Sequence, residues 1–164
     1  TKLKSGAKVF LHKVSKPELY GVAKINKQNK ILKIIEKPKK FISDYAITGL
    51  YFFDNNVVKY TKSLKPSKRG ETEIIDLLEK YKKQKKLTVD FIGRGGAWLD
   101  TGSIQDFYNT SNFVSTIENR QGFKIACLEE IAFKNKWINK KDIINSIKFY
   151  GNCEYSNYLK KIIL

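Results

Sequence analysis

Apolar residues recur along this chain at two spacings. Over residues 7–14, Val9 and Leu11 alternate with Lys8 and His12, the two-residue period of a strand with one covered face. A turn or short helical start at Ser15-Lys16-Pro17-Glu18 leads to Tyr20-Gly21. Val22 to Ile25 and Ile31 to Ile35 then flank the turn-forming tetrad Asn26-Lys27-Gln28-Asn29, which predicts a hairpin. Pro38 has no N–H to give to a ladder, so the second arm should stop there with Glu36 and Lys37 at its end. Tyr45 to Phe53 is apolar nearly throughout, as expected of a strand covered on both faces. Farther on the period lengthens. Asn55 to Ser63 suits a short helix and Pro66 to Gly70 a turn. Glu71 to Gln84 suits a longer helix, with an apolar stripe at Ile74, Leu77, Leu78 and Tyr81 and with Glu71 and Glu73 near its positive end. A strand at Leu87 to Ile92 precedes a Gly-rich stretch and then a helix from Ser103, the expected N-cap, to Ile117. Strands alternating with helices predict an α/β fold, a mixed sheet with helices packed on it. After Gly122 only short helical patterns remain, at residues 128–133, 140–147 and 155–163. The expected organisation is a body over residues 1–122 and a small helical appendage over 123–164.

Composition changes this picture little. A chain of 164 residues, 41% hydrophobic and 13% aromatic, has the means to bury a core, and disorder is not expected. The formal charge of +16 raises a nucleic-acid reading. Yet only Arg69, Arg94 and Arg120 are arginines, and the lysines are scattered over nearly every segment, which suits a solvated surface better than a phosphate clamp. No nucleic-acid partner is expected. Cys127 and Cys153 make neither a zinc spacing nor a disulfide framework, so a cytoplasmic setting is expected. No apolar run approaches membrane-spanning length and no signal peptide is visible, so no membrane partner is expected. The chain opens at Thr1 without a methionine, which is read as processing or a boundary upstream.

Candidate chemistry gathers at predicted strand ends, where open α/β sheets place their ligands. Tyr20-Gly21 lets backbone approach a ligand closely, and Glu36-Lys37 sets an acceptor for hydroxyls beside a cation for a phosphate. Gly49 interrupts an apolar strand, a mark of close approach or of a bulge. Gly93 to Gly102 brings together four glycines, the flat wall of Trp98 and the hard carboxylate oxygens of Asp100. Together these make a polyol-phosphate pocket chemically sensible. Each also has a plain structural reading: a surface ion pair, a bulge, a core edge, a Gly-rich turn under a half-buried tryptophan. His12, the single histidine, reads as a strand surface position, and no histidine-based triad or multi-histidine metal site can be assembled.

Tyr20-Gly21-Val22, Glu36-Lys37-Pro38, Tyr45 to Tyr51, Arg69 to Ile74 and Gly93 to Gly102 stand in an order that resembles the glucose-1-phosphate thymidylyltransferases. The resemblance continues through Ser111-Asn112-Phe113, Arg120-Gln121-Gly122 and Glu129 to Phe133. It implies a Rossmann-like nucleotidyltransferase mixed sheet, Mg²⁺ as cofactor, and conversion of glucose 1-phosphate and dTTP to dTDP-glucose and pyrophosphate. Tyr20, Gly21, Glu36, Ile47, Tyr51 and Trp98 would then form the sugar site. Lys37 would bind the sugar phosphate as the catalytic cation, and Asp100 would be one of two metal aspartates. Arg94, Gly95, Glu130 and Ile131 would correspond to a regulatory nucleotide site, and the helical tail would help to build a tetramer. The family's Gly-rich nucleotide loop and its other aspartate have no counterpart in these residues. The chain is therefore expected to be the C-terminal half of such an enzyme, inactive without the N-terminal nucleotide half, or else a non-catalytic remnant that binds a sugar nucleotide or serves assembly; a homo-oligomer, or pairing with a separate N-terminal half, is expected.

Overall fold

The computed structural model describes residue 3, residues 5–67 and residues 70–164. The chain divides into two compact units, Thr1–Trp98 and Leu99–Leu164.

The first unit is a five-stranded mixed sheet. Its strands are β1 (Ala7–Lys13), β2 (Gly21–Ile25), β3 (Ile31–Glu36), β4 (Tyr45–Phe53) and β5 (Leu87–Phe91), in the order β3-β2-β4-β1-β5. β1 pairs antiparallel with β4 and parallel with β5, and β2 and β3 form the expected hairpin. The hairpin turn is closed by Asn26, whose side-chain oxygen accepts from the backbone N–H of Gln28 (3.0 Å) and Lys30 (2.8 Å), and Asn29 takes the left-handed conformation. Ala7, Val9 and Leu11 of β1 are fully buried, as their alternation requires.

Two helices come after β4: α1 (Val57–Lys62) and α2 (Ile74–Lys83). α2 buries Ile75, Leu77, Leu78 and Tyr81, whereas Ile74 is 36% exposed. The apolar stripe therefore starts at Ile75, because the helix begins at Ile74 and its first residue faces outward. The expectation that β4 is covered on both faces also fails. Leu50 and Phe52 are each 49% exposed among the described residues, and the buried positions are Ala46 and Ile47.

One carboxylate ties this unit together. Asp54, just past β4, accepts from the backbone N–H of Gly6 (2.7 Å), from the backbone and side chain of Asn56 (3.0 Å each), and from the hydroxyl of buried Tyr81 (2.8 Å). Gly6 has φ +89°, and a Cβ there would lie 2.4 Å from the Lys86 carbonyl oxygen, so no other residue fits.

The second unit holds α3 (Ile104–Gln121), α4 (Leu128–Lys134), α5 (Lys140–Tyr150) and α6 (Glu154–Ile162). Ser103 caps α3 as expected, accepting from the Asp106 N–H, and Gly122 at φ +72° ends it. Asn139 and Asp142 form a capping box on α5. Cys127, Ile143 and Leu159 are buried together, with Phe133, Tyr155 and Tyr158 against them. Packing sets the division at Trp98/Leu99, not at the 122/123 boundary read from sequence, because α3 is fastened to the segment just beyond its C-terminus. Glu118 near its end pairs with Lys124 (2.8 Å) and accepts from the Ile125 N–H (2.8 Å). Among the described residues no helix is long and apolar enough to cross a membrane.

The donors around Asp54, the Gly6 N–H foremost, hold its carboxyl down at about 2 from 3.8. A carboxyl with a depressed folded pKa binds fewer protons folded than unfolded, so its stabilisation is full above about pH 4 and is lost as pH falls toward 2. Urea midpoints measured between pH 2 and 6 are expected to fall more steeply with acid for the natural chain than for Asp54→Asn. Tyr81→Phe, which removes one hydrogen bond, is expected to cost about 1 kcal/mol at pH 7.

Candidate functional site

The two sequence clusters at the start of β2 and the end of β3 meet across the hairpin. Gly21 is paired with Glu36 in the antiparallel register, and the Lys37 N–H continues the ladder by donating to the Tyr20 carbonyl (3.0 Å). A Cβ on Gly21 would lie 2.9 Å from Glu36 Oε2 and 3.4 Å from Ile75 Cδ1. The glycine thus leaves the room in which the Glu36 carboxylate rests. Lys37 has φ +42°, an uncommon conformation for a residue with a side chain, and it stands exposed just beyond the strand. Pro38 is buried behind it and no strand continues, as expected.

β4 brings in the next residues through an irregularity. Val9 is opposite Tyr51 and Leu11 is opposite Ile47, so Thr48, Gly49 and Leu50 all face Phe10 alone. Gly49 takes φ +79° inside this bulge. Thr48 donates its hydroxyl to the Phe10 carbonyl (3.0 Å), and its own carbonyl accepts from the indole N–H of Trp98 (3.0 Å). Trp98 is thereby anchored, half-buried, with Tyr20 edge-on at 5.0 Å between ring centroids. Sequence reasoning did not single out Thr48 as an anchor; the signal available was the glycine beside it.

Tyr51 is half-buried and stacks on Phe53 at 5.9 Å. Burial, and after it the negative charge of Glu36, push its phenol pKa above the ordinary 10. Ile47 is buried in the core with Val9, Leu11 and Leu78. Tyr20, Gly21, Glu36, Lys37, Tyr51 and Trp98 therefore all lie in the first unit, Tyr20 beside Trp98 and Tyr51 within reach of the Glu36 charge, with Ile47 in the core. His12 is not the surface residue expected. It is half-buried, and its Nδ1 is closed off from solvent. Arg69, in the Arg69-Gly70-Glu71 motif, lies outside the described residues.

Arg94 and Gly95 sit in an exposed turn closed by Gly96 N–H to Gly93 carbonyl (2.8 Å). The remaining candidates lie in the second unit. Asp100 is exposed, with one oxygen accepting from the Thr101 N–H (2.9 Å), and its carbonyl accepts from the Thr110 hydroxyl (3.3 Å). No group of three or more His, Cys, Asp or Glu side chains able to hold a metal occurs among the described residues. Glu130 is held by Lys134 and by the Tyr158 hydroxyl (2.5 Å each), which keep its carboxyl below the usual range, and Ile131 is partly exposed on α4.

The charge of Glu36 is readable through its neighbour. Glu36→Gln is expected to lower the Tyr51 phenol pKa while leaving it above 10, because burial, the larger cause, remains. A tyrosinate titration by ultraviolet absorbance, with Tyr51→Phe to assign the signal, measures this.

The profile of the family described as Nucleotidyl transferase matches residues 1–117. Over 158 residues the chain is 46% identical to a glucose-1-phosphate thymidylyltransferase of Neisseria gonorrhoeae, an alignment that covers 96% of this chain and 55% of that protein. To the protein of the same name from Xanthomonas campestris pv. campestris it is 44% identical, covering 94% of this chain and 52% of the relative. A Bacillus anthracis structure described as a glucose-1-phosphate thymidylyltransferase in complex with a sucrose matches with a TM-score of 0.60 at 44% identity, over 67% of this chain and 44% of that one. A UDP-glucose pyrophosphorylase complexed with UDP-glucose, 24% identical over 68% of this chain and 44% of its own, shares the fold with the same TM-score. The chain spans about half the length of the curated relatives it matches. With a mixed α/β sheet of this kind and a family profile matched over 117 of its 164 residues, the chain belongs to the nucleotidyl transferase family.

Proposed function

We propose that this chain supplies the sugar-phosphate side of a thymidylyltransferase that converts glucose 1-phosphate and dTTP to dTDP-glucose and pyrophosphate. The observation that carries the reading is the Gly21–Glu36 pairing, which seats a carboxylate over a bare glycine in the same unit as Tyr20, Tyr51 and the anchored Trp98. A carboxylate accepts hydroxyl donors, flat aromatic faces pack on the apolar faces of a hexose, and Lys37 beside them offers a cation for the phosphate. Ile47 contributes by packing beneath the pocket. The attacking group is an anionic phosphate oxygen, so no side chain has to take a proton. It bonds to the α-phosphorus of dTTP as the bond to pyrophosphate breaks, and the protein's task is in-line positioning and neutralisation of charge.

Asp100 suits Mg²⁺ as one carboxylate of a site completed by substrate phosphates, the usual manner in which this ion is held. When bound, the ion would offset charge on those phosphates. The residues named here serve the sugar phosphate, and dTTP is assigned to groups supplied by another segment or another chain. Arg94, Gly95, Glu130 and Ile131 are proposed for a regulatory nucleotide, the helical unit for assembly of an oligomer, and the cytoplasm for the setting of its two unpaired cysteines. A second reading, a non-catalytic sugar-nucleotide-binding or assembly role, draws on the chain's spanning about half of its relatives.

The test is dTDP-glucose formation from glucose 1-phosphate and dTTP, assayed with and without an added nucleotide-binding half from a relative. Turnover only with the added half is expected. Full turnover by this chain alone contradicts the division of labour, and none in either case favours the second reading. In the complemented enzyme, Asp100→Asn is expected to lower kcat at least a hundredfold with little change in the KM for glucose 1-phosphate. Unchanged kcat removes Asp100 from the metal role.

A further inference from the structure

β4 is paired on both sides for only part of its length. On one side it follows β1 as far as Phe53 opposite Ala7. On the other, where the strand order sets β2, a single pair is made, between Val22 and Ala46. β2 begins one residue earlier, at Gly21, and beyond that point β4 has no strand beside it on this side among the described residues. The alternation of an antiparallel ladder decides which backbone groups are left over. The Asp54 N–H donates across to the Gly6 carbonyl (2.9 Å), whereas Ala7 turns its N–H the other way, to the Lys86 carbonyl just before β5 (2.8 Å). Phe53, opposite Ala7, and Tyr51, two residues before it, therefore turn their N–H and C=O groups away from β1 and toward the open side. Nearer to β2, the Thr48 carbonyl is taken by the Trp98 indole (3.0 Å). Nothing among the described residues takes the backbone groups of Tyr51 and Phe53. Such an edge is a template for another strand. Apolar surface adjoins it: Leu50 and Phe52 are half-exposed, with the Phe10 ring 5.8 Å from that of Phe52.

We infer that this edge is the joint at which the nucleotide-binding half of the enzyme adds a strand to the sheet, its main chain pairing with Tyr51 and Phe53 and its apolar side chains covering Leu50 and Phe52. This rests on the division of labour proposed above and gives it a place in the fold. Two observations favour this occupant. The chain spans about half the length of the curated relatives it matches, and the remainder of their length is a ready source of the strand. A second copy would instead bring another formal charge of +16 against the first. A strand seated in this place lies end to end with β2, so that its near end comes to Gly21, over which the Glu36 carboxylate rests. The added strand thus joins the two halves of the site as well as of the sheet.

Amide hydrogen exchange reads the joint directly. The ¹⁵N-labelled chain is followed by NMR alone and with the unlabelled nucleotide-binding half of a relative, and dTDP-glucose formation is assayed in the same mixture. The Tyr51 and Phe53 amides are expected to slow about tenfold or more when the half is added, while the Phe52 amide, already turned to β1, changes little. Protection of the pair without turnover upholds the joint and counts against the thymidylyltransferase reading. Turnover without protection overturns the joint and leaves that reading standing, and neither protection nor turnover counts against both. Protection in the chain alone that grows with its own concentration assigns the edge to a second copy and overturns the inference. Phe52→Lys sets a charge on the adjoining apolar surface. It is expected to leave the amide spectrum of the isolated chain that of a folded sheet while raising the concentration of added half needed for protection about tenfold or more. An unchanged requirement would overturn the inference.

Discussion

The pairing of β1 with β4 is the constraint on which the sheet unit depends. Antiparallel partners normally match residue for residue, and a slip of one reverses every side chain. Here three residues of β4 are absorbed opposite Phe10, so that Ile47 below the bulge and Tyr51 above it both lie against the buried residues of β1, opposite Leu11 and Val9. Gly49 makes the excursion possible because its φ of +79° would strain any side chain. The excursion takes the Thr48 carbonyl out of the ladder and turns it to Trp98. One irregularity in the pairing therefore serves the core and anchors the aromatic wall at the same time.

A second local device acts at the hairpin. Strand pairing sets Glu36 across from Gly21, and the absence of a Cβ there leaves the carboxylate space that a side-chain carbon would crowd. Its charge reaches Tyr51 and adds to burial in keeping that phenol protonated. Lys37 comes next in a left-handed conformation, tied by its N–H to Tyr20. Such backbone strain is characteristic of ligand-binding positions, where the surroundings fix a geometry the chain would not choose.

Much of this was legible in residue order. The hairpin was carried by Asn26 to Asn29 between β-branched runs, the end of β3 by Pro38, and the start of α3 by Ser103, all signals that act within a few residues. What was misread depended on partners far along the chain. Ile74 and Ile75 are adjacent and chemically equal, and only the direction from which α2 meets the sheet decides that Ile75 is buried. β4 reads as apolar throughout, yet Leu50 and Phe52 are half exposed, on the face opposite Ile47, Tyr51 and Phe53, which pack on the core. His12 looks like the polar partner in an alternating strand, and its burial comes from Trp98, more than eighty residues away. The division at Trp98/Leu99 was hidden for the same reason: α3 is fastened to residues 124 and 125 through Glu118, a contact that no periodicity announces.

The claim at the centre of this account is that the strand ends of the first unit form a receptor for a sugar phosphate, with Glu36 as its hydroxyl acceptor. Titration calorimetry of the chain with glucose 1-phosphate, beside Glu36→Gln and Gly21→Ala, tests it most directly. Saturable binding by the natural chain, weakened at least tenfold in both variants while their urea midpoints hold, is the expected result. Binding that both variants retain in full, or no heat at millimolar glucose 1-phosphate, would contradict it.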